Sequence, residues 1–112
     1  MNVLFFYILP PENVCYTKYN SGIASLSAAL KQNGHNTDLE LVYGLNKNDL
    51  NRRIEKFRPD LIGCSFGSHQ KYLAKNVIGY IASKHKIPCI AGGVHATIAP
   101  GECLGFDGVL GV

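Results

Sequence analysis

The sequence predicts an α/β domain built on a parallel five-stranded sheet with helices on both faces. Two observations predict it. Short, nearly continuous apolar runs alternate with stretches whose apolar residues fall at helical spacing, the pattern of strands joined by helical crossovers that bury a sheet on both sides. The composition agrees, since 46% hydrophobic and 17% charged residues in 112 exclude a disordered chain and suit such a sheet.

The first strand is Val3 to Leu9, stopped by Pro10-Pro11. A polar loop, PENVCYTKYNSG, follows and is long for a strand-to-helix connection. Loops of that length tend to carry function. Ser21 can cap a helix to about Asn33, with Ile23, Leu26 and Leu30 on one stripe and Gly34 as the stop. Thr37 to Tyr43 alternates polar with apolar residues, which predicts an exposed edge strand. Asn48 can cap a second helix carrying Leu50, Ile54 and Phe57, ended by Arg58-Pro59-Asp60. Leu61 to Phe66 is the third strand, terminated by Gly67-Ser68. A third helix bears Leu73, Val77 and Ile81 and ends in Lys84-His85-Lys86, where the helix dipole favours cations. Ile87 to Ala91 is the fourth strand, ending in Gly92-Gly93. A short helix or turn covers His95 to Leu104, and Phe106 to Val112 begins a fifth strand. With strand two at an edge, the order 2-1-3-4-5 of a flavodoxin-like, Rossmann-like three-layer sandwich is expected. The helix that would follow strand five is missing from the sequence, so a fragment of a longer protein, or a partner that covers the last strand, is expected.

Several function classes are excluded. The net charge of +3 is scattered, which gives nucleic-acid binding little support. No apolar run approaches the roughly 20 residues of a membrane span, and the N-terminal run lacks the basic flank of a signal peptide. Cys15, Cys64, Cys89 and Cys103 form no CxxC pair and have no zinc-ligand spacing. Cys64 and Cys89 lie in apolar runs and read as buried thiols in a reducing, cytoplasmic compartment. There is no GxGxxG, no GKS/T phosphate loop, no Ser/Thr-rich phosphate loop of a flavodoxin, and no Asp at the end of strand three as a phosphoacceptor receiver would need.

Ligands of open parallel sheets bind beyond the carboxyl ends of the strands, at the switch point. Three loops converge there: Pro10 to Gly22, Ser65-Phe66-Gly67-Ser68-His69, and Gly92-Gly93-Val94-His95-Ala96-Thr97. Glycines let a bulky ligand approach the backbone, and hydroxyls supply hydrogen bonds. Each feature also has a plain reading: a tight turn for Gly92-Gly93, a helix cap for Ser65, a solvated loop histidine for His95. His35 and His69 read as surface residues and His85 as a helix end.

These segments resemble a known family. YNSGIASLSAALKQNGHNTDLEL is similar to the first helix and second strand of the cobalamin-binding domains at the N-terminus of many radical S-adenosylmethionine enzymes, RPDLIGCSFGS to their third strand, IPCIAGGVHATIAPGECL to their fourth, and FDGVLGV to the start of their fifth. GGVHAT is the most specific piece. The resemblance covers nearly the whole chain. It implies a cobalamin cradle with the nucleotide tail between strands three and four, and cofactor-binding residues Asn20, Gly22, Ser65, Phe66, Gly67, Ser68, Gly92, Gly93, Val94, His95 and Thr97. Relatives of the methionine synthase type carry DxHxxG after strand one, with the His on cobalt; the first loop here has no His. No histidine ligand from that loop is expected. The CxxxCxxC cluster motif of the radical enzymes is absent, so the iron–sulfur cluster and S-adenosylmethionine belong to a downstream barrel domain. The chain alone is then not catalytic. Its parent would be a methylase or an anaerobic cyclase of magnesium-protoporphyrin monomethyl ester. The alternative is a cofactor-free flavodoxin-like module that contributes substrate contacts or a domain or subunit interface. A self-contained cobalamin carrier fits less well, because the last helix is missing.

Overall fold

The structure is a computed structural model that describes residues 1–10, 21–93, 100–105 and 109–111. Strand β1 (Asn2–Ile8) is central, and every residue after Asn2 in it is buried. Helix α1 (Ser21–Gln32) follows the first loop. It closes as expected at Gly34, whose φ of +85° suits a residue without Cβ. The Gly34 N–H donates to Lys31 O (3.1 Å) and the His35 N–H to Leu30 O (3.0 Å), which satisfies the last carbonyls. Strand β2 (Asn36–Val42) is largely exposed except at Val42, as an edge strand should be.

Helix α2 (Lys47–Phe57) starts two residues earlier than the sequence suggests. Its N-cap is Asn46 and not Asn48: the Asn46 side-chain oxygen accepts from the Asp49 N–H at 3.1 Å. Both asparagines precede the same apolar stripe, and only the backbone decides between them. The helix ends at Arg58, in the left-handed conformation (φ 53°), just before Pro59. Strand β3 (Leu61–Ser65) leads through a 3₁₀ turn (Ser68–Gln70) into α3 (Lys71–Lys84). Strand β4 (Cys89–Gly92), helix α4 (Pro100–Leu104) and strand β5 (Val109–Gly111) complete the order.

All pairings are parallel. The regular ladder runs β2-β1-β3-β4, with Phe5 opposite Leu39 and Gly63, and Ser65 opposite Gly92. Three-residue β5 lies outside β4, joined at Cys89↔Val109 and Ile90↔Gly111 with an irregular register between them. The expected fifth strand is therefore described only at 109–111; its first residues lie outside the described set.

The two faces of the sheet are unequal. One carries the main core: Leu4, Phe6, Ile8, Ile62, Cys64 and Ala91 pack against Leu50 and Ile54 of α2 and Ala74, Val77, Ile78 and Ile81 of α3. The other carries a smaller cluster in which Val3, Phe5, Tyr7 and Leu9 meet Ile23 of α1, with Leu30 partly buried against it. Arg53 of α2 ties in the edge strand, reaching Asp38 at 2.5 Å and Glu40 at 2.9 Å. Among the described residues no helix is long and apolar enough to cross a membrane.

Candidate ligand-binding site

The parallel ladder brings the ends of β1, β3 and β4 to one edge. The strand order reverses there: β2 lies on one side of β1 and β3 on the other, so the crevice of a doubly wound sheet falls between β1 and β3. Beside it, on the α1 face, a groove of about 450 Å³ opens, within the roughly 300–1,000 Å³ of small-molecule sites. Strand alternation builds its floor: Leu61, Gly63 and Ser65 from β3, Ile90 and Gly92 from β4. Gly22, Ile23, Leu26 and Leu30 of α1 form the wall, and Phe5 of β1 closes the side. Leu26 is 57% and Ile90 39% exposed, so apolar surface stands open in the groove.

Three glycines shape this groove in different ways. A Cβ on Gly63 would lie 2.9 Å from Cδ1 of Phe5, so the missing side chain makes room for that ring. Gly93 has φ +94°, and a Cβ there would meet the Phe66 carbonyl oxygen at 2.7 Å and the Phe66 nitrogen at 2.8 Å. That glycine is required by the fold. Gly92 is different: among the described residues a Cβ would meet nothing nearer than the Cys64 carbonyl oxygen at 3.8 Å. The described part of the fold leaves room for a side chain at position 92, on the side of the groove.

Of the residues expected at the site, Gly22, Ser65, Gly92 and Gly93 line the groove together. Gly67 follows β3 at the same edge, and its carbonyl accepts from the Gln70 N–H at 3.0 Å. The backbone of Ser68 opens the 3₁₀ turn. Phe66 is placed otherwise: its ring is sunk in the core on the α2–α3 face, so only its backbone reaches the edge. Asn20, Val94, His95 and Thr97 lie outside the described residues. The apolar lining from Phe5, Ile23, Leu26, Leu30, Leu61 and Ile90 was not anticipated. The signal was present in Gly63, a glycine inside a strand that marks a close approach, and in the i, i+2 partners on either side of it.

His35 follows α1, and His85 caps α3 with Nε2 2.7 Å from Asn51 Oδ1, which also accepts from the Tyr80 hydroxyl at 2.8 Å. Both histidines belong to the amino edge of the sheet. His69, in the 3₁₀ turn, is exposed at the carboxyl edge. Cys64 and Cys89 are buried free thiols, as expected. Burial, and secondarily the neighbouring Cys89, pushes the Cys64 thiol well up. Burial pushes Cys89 to about 11. Both therefore stay protonated at neutral pH and serve the core rather than chemistry. Among the described residues no group of three or more His, Cys, Asp or Glu side chains could hold a metal ion.

Fold and groove define a class: a doubly wound α/β domain with an apolar groove at the carboxyl edge of its sheet. Comparison with known proteins narrows it. The B12 binding domain family matches residues 12–112, and the chain belongs to that family. Among solved structures, the 1.5 Å crystal structure of a novel cobalamin-binding protein from Desulfitobacterium hafniense DCB-2 superposes with a TM-score of 0.64 at 10% sequence identity. The match covers 96% of this chain and 52% of that one, so this chain spans about half the length of its structural relative. At that identity the likeness is one of fold. No curated protein matches the sequence.

Proposed function

We propose that the domain binds cobalamin, and does so as a module of a radical S-adenosylmethionine enzyme of the methyl-transfer or anaerobic cyclase type. Membership of the B12 binding domain family supports the first part. The observation that carries it is Gly92, a position where the fold leaves room for a side chain and the sequence supplies none, at the mouth of an apolar groove beside the switch point. The residues fit a cofactor with a planar base on a flexible tail. Gly22, Gly92, Gly93 and Ser65 would hold the tail where it passes the sheet edge, and the family resemblance assigns Asn20, Val94, His95 and Thr97 to the cofactor as well. Bound cobalamin would supply a cobalt centre able to carry a methyl group. The chain's own part is to bind, to orient and to keep water from the buried tail. The GGVHAT segment and the Gly-His turn at 34–35 support the radical-enzyme setting; a downstream barrel in a cytoplasmic protein would contribute the iron–sulfur cluster and S-adenosylmethionine.

The test is retention of hydroxocobalamin by the full-length protein after anaerobic incubation and desalting, read in the visible spectrum. Gly92→Val should abolish retention while leaving the far-ultraviolet circular dichroism unchanged. A wild-type protein that holds no corrinoid refutes the reading. It would favour a cofactor-free module whose groove, with Leu26 and Ile90 exposed, seats a packed segment instead.

A further inference from the structure

We propose that the outer surface of α2 and α3 is a docking face for an acidic segment of a partner protein, anchored at Tyr72. This face lies across the sheet from the groove, so its role is independent of the cobalamin reading. The cations look scattered along the sequence, but the fold gathers them. Helix α2 with its cap Arg58 carries five of the eleven Lys and Arg residues, and α3 through Lys86 carries four. The same two segments hold two acids, Asp49 and Glu55. Both helices pack on one face of the sheet, so one layer holds most of the positive charge. Lys47, Lys56, Arg58, Lys75, Lys84 and Lys86 are exposed, and among the described residues none of the six is in an ion pair.

Helix chemistry accounts for part of this layer. Lys56, Arg58, Lys84 and Lys86 lie at helix C-termini, where the dipole favours cations. It does not account for the start of α3. An acid would stabilise the helix there. Instead Lys71 opens it, its first turn has no acid, Lys75 follows one turn on, and the N-cap Gln70 makes no side-chain capping bond. Such a departure from the locally favoured residue is expected where a surface serves another purpose. The same turn leaves Tyr72 71% exposed. Beside it lies a hollow of about 240 Å³ between α3 and α4, lined by Lys71, Tyr72, Lys75, Gly101, Glu102 and Gly105. The Lys71 ammonium lies 5.2 Å from the centre of the Tyr72 ring and 3.3 Å from Glu102 Oε1. Lys71 thus offsets the charge of Glu102, and Lys75 is left to meet an incoming carboxylate. Helix α4 adds Leu104, 52% exposed. An exposed aromatic ring beside a hollow suits an interface anchor. Charge complementarity then selects an acidic chain with an apolar side chain among its acids.

A polypeptide fits this face better than a nucleic acid. The guanidinium forks that suit phosphate are engaged within the domain, Arg52 on Asp49 and Arg53 on Asp38 and Glu40. Asp49, Glu55 and Glu102 are interspersed among the cations and would oppose a continuous phosphate backbone. A run of stacked bases also needs more exposed rings than Tyr72 supplies.

The test titrates the full-length protein with a fluorescently labelled peptide of glutamates and aspartates around one phenylalanine, read by anisotropy. Two further probes are the same peptide with alanine for phenylalanine, and a single-stranded oligonucleotide of equal charge. The acidic peptide should bind, weaken as salt rises, and weaken about fivefold or more without its phenylalanine. Tyr72→Ala should weaken binding about fivefold or more, and Lys75→Glu about tenfold or more. Both positions are exposed, so the far-ultraviolet circular dichroism of both variants should match wild type. Lys31→Glu, on α1, should bind the peptide as wild type does. Absence of peptide binding overturns the proposal, and so does wild-type affinity in Lys75→Glu. An oligonucleotide that binds as tightly as the peptide makes the face one for nucleic acid and overturns it as well. Equal weakening by Lys31→Glu also overturns it, since net charge alone would then drive binding. None of these outcomes bears on corrinoid retention, whose loss refutes the cobalamin reading alone.

Discussion

The two faces of this sheet use the same kind of residue for opposite ends. On the α2–α3 face, Phe6, Ile62, Ile78 and Ile81 are fully buried against one another. On the α1 face, Leu26 and Ile90 are equally apolar and remain open. Among the described residues one helix, α1, covers β1 and β2 there, and none covers β3 and β4 beside it. Hydrophobicity alone therefore does not mark a core position in this fold. What separates the faces, among the described residues, is the number of helices laid over each, and Gly92, which lowers the floor of one of them.

Substitutions can break this contrast or sharpen it. Phe6→Ala, on the closed face, should cost about 3–5 kcal/mol in urea unfolding and be felt through the whole domain. A loss below about 1 kcal/mol would mean that the closed face repacks freely and is not the main core. Gly93→Ala joins the faces, since its Cβ would strike the Phe66 backbone from a left-handed φ; a loss of roughly 1–3 kcal/mol is expected. If Gly93→Ala proved as stable as wild type, the close approach of β4 to β3 would be wrong.

Edge strand β2 gives a smaller, pH-dependent effect. Burial pushes the Asp38 carboxyl up, but hydrogen bonds from Arg53 and the Leu39 N–H and the charges of Arg53 and Lys31 outweigh it, so its pKa lies below the ordinary 3.8. A depressed carboxylate stabilises the fold above its unfolded pKa, and that contribution fades as the pH falls through the folded value. Arg53→Met should therefore lower stability by less than about 1 kcal/mol at pH 7 and flatten the loss between neutral pH and the region below 3.8. An unchanged acid profile would show that the ion pairs contribute nothing. The smallest effect is expected at Leu26→Ser, within about 0.5 kcal/mol of wild type, yet with weaker corrinoid retention. Lost stability with unchanged retention would make Leu26 a core residue and the groove an accident of packing.

Much of the architecture was legible because periodicity reports burial. The run Val3 to Leu9 read as a strand covered on both faces, the alternation at Asp38 to Leu41 as an edge, and Gly34 as a helix stop, and each is found so. The cap of α2 was not legible, because Asn46 and Asn48 are chemically identical and lie two residues apart. The groove was only half legible. Its mouth could be read from Gly92-Gly93 and Ser65, which are unusual in a plain connector. Its depth could not, because Leu61, Ile90 and Leu30 look like any other core residue until the helices are counted. Phe66 shows the converse, a residue adjacent in sequence to the loop whose ring faces the opposite layer.

The seat of Gly93 on Phe66 has a consequence in time rather than in space. The Phe66 ring is buried in the core, the Phe66 backbone N–H is bonded to Gly92 O at 3.2 Å, and Gly93 lies close against the Phe66 backbone. The ends of β3 and β4 thus move as one body with the interior. Their amide protons should exchange with solvent at rates set by opening of the whole domain and not by fraying of the rim. A ligand at that rim would meet a surface whose ordering entropy was settled when the chain folded, so this part of the proposed site would need no ordering of its own.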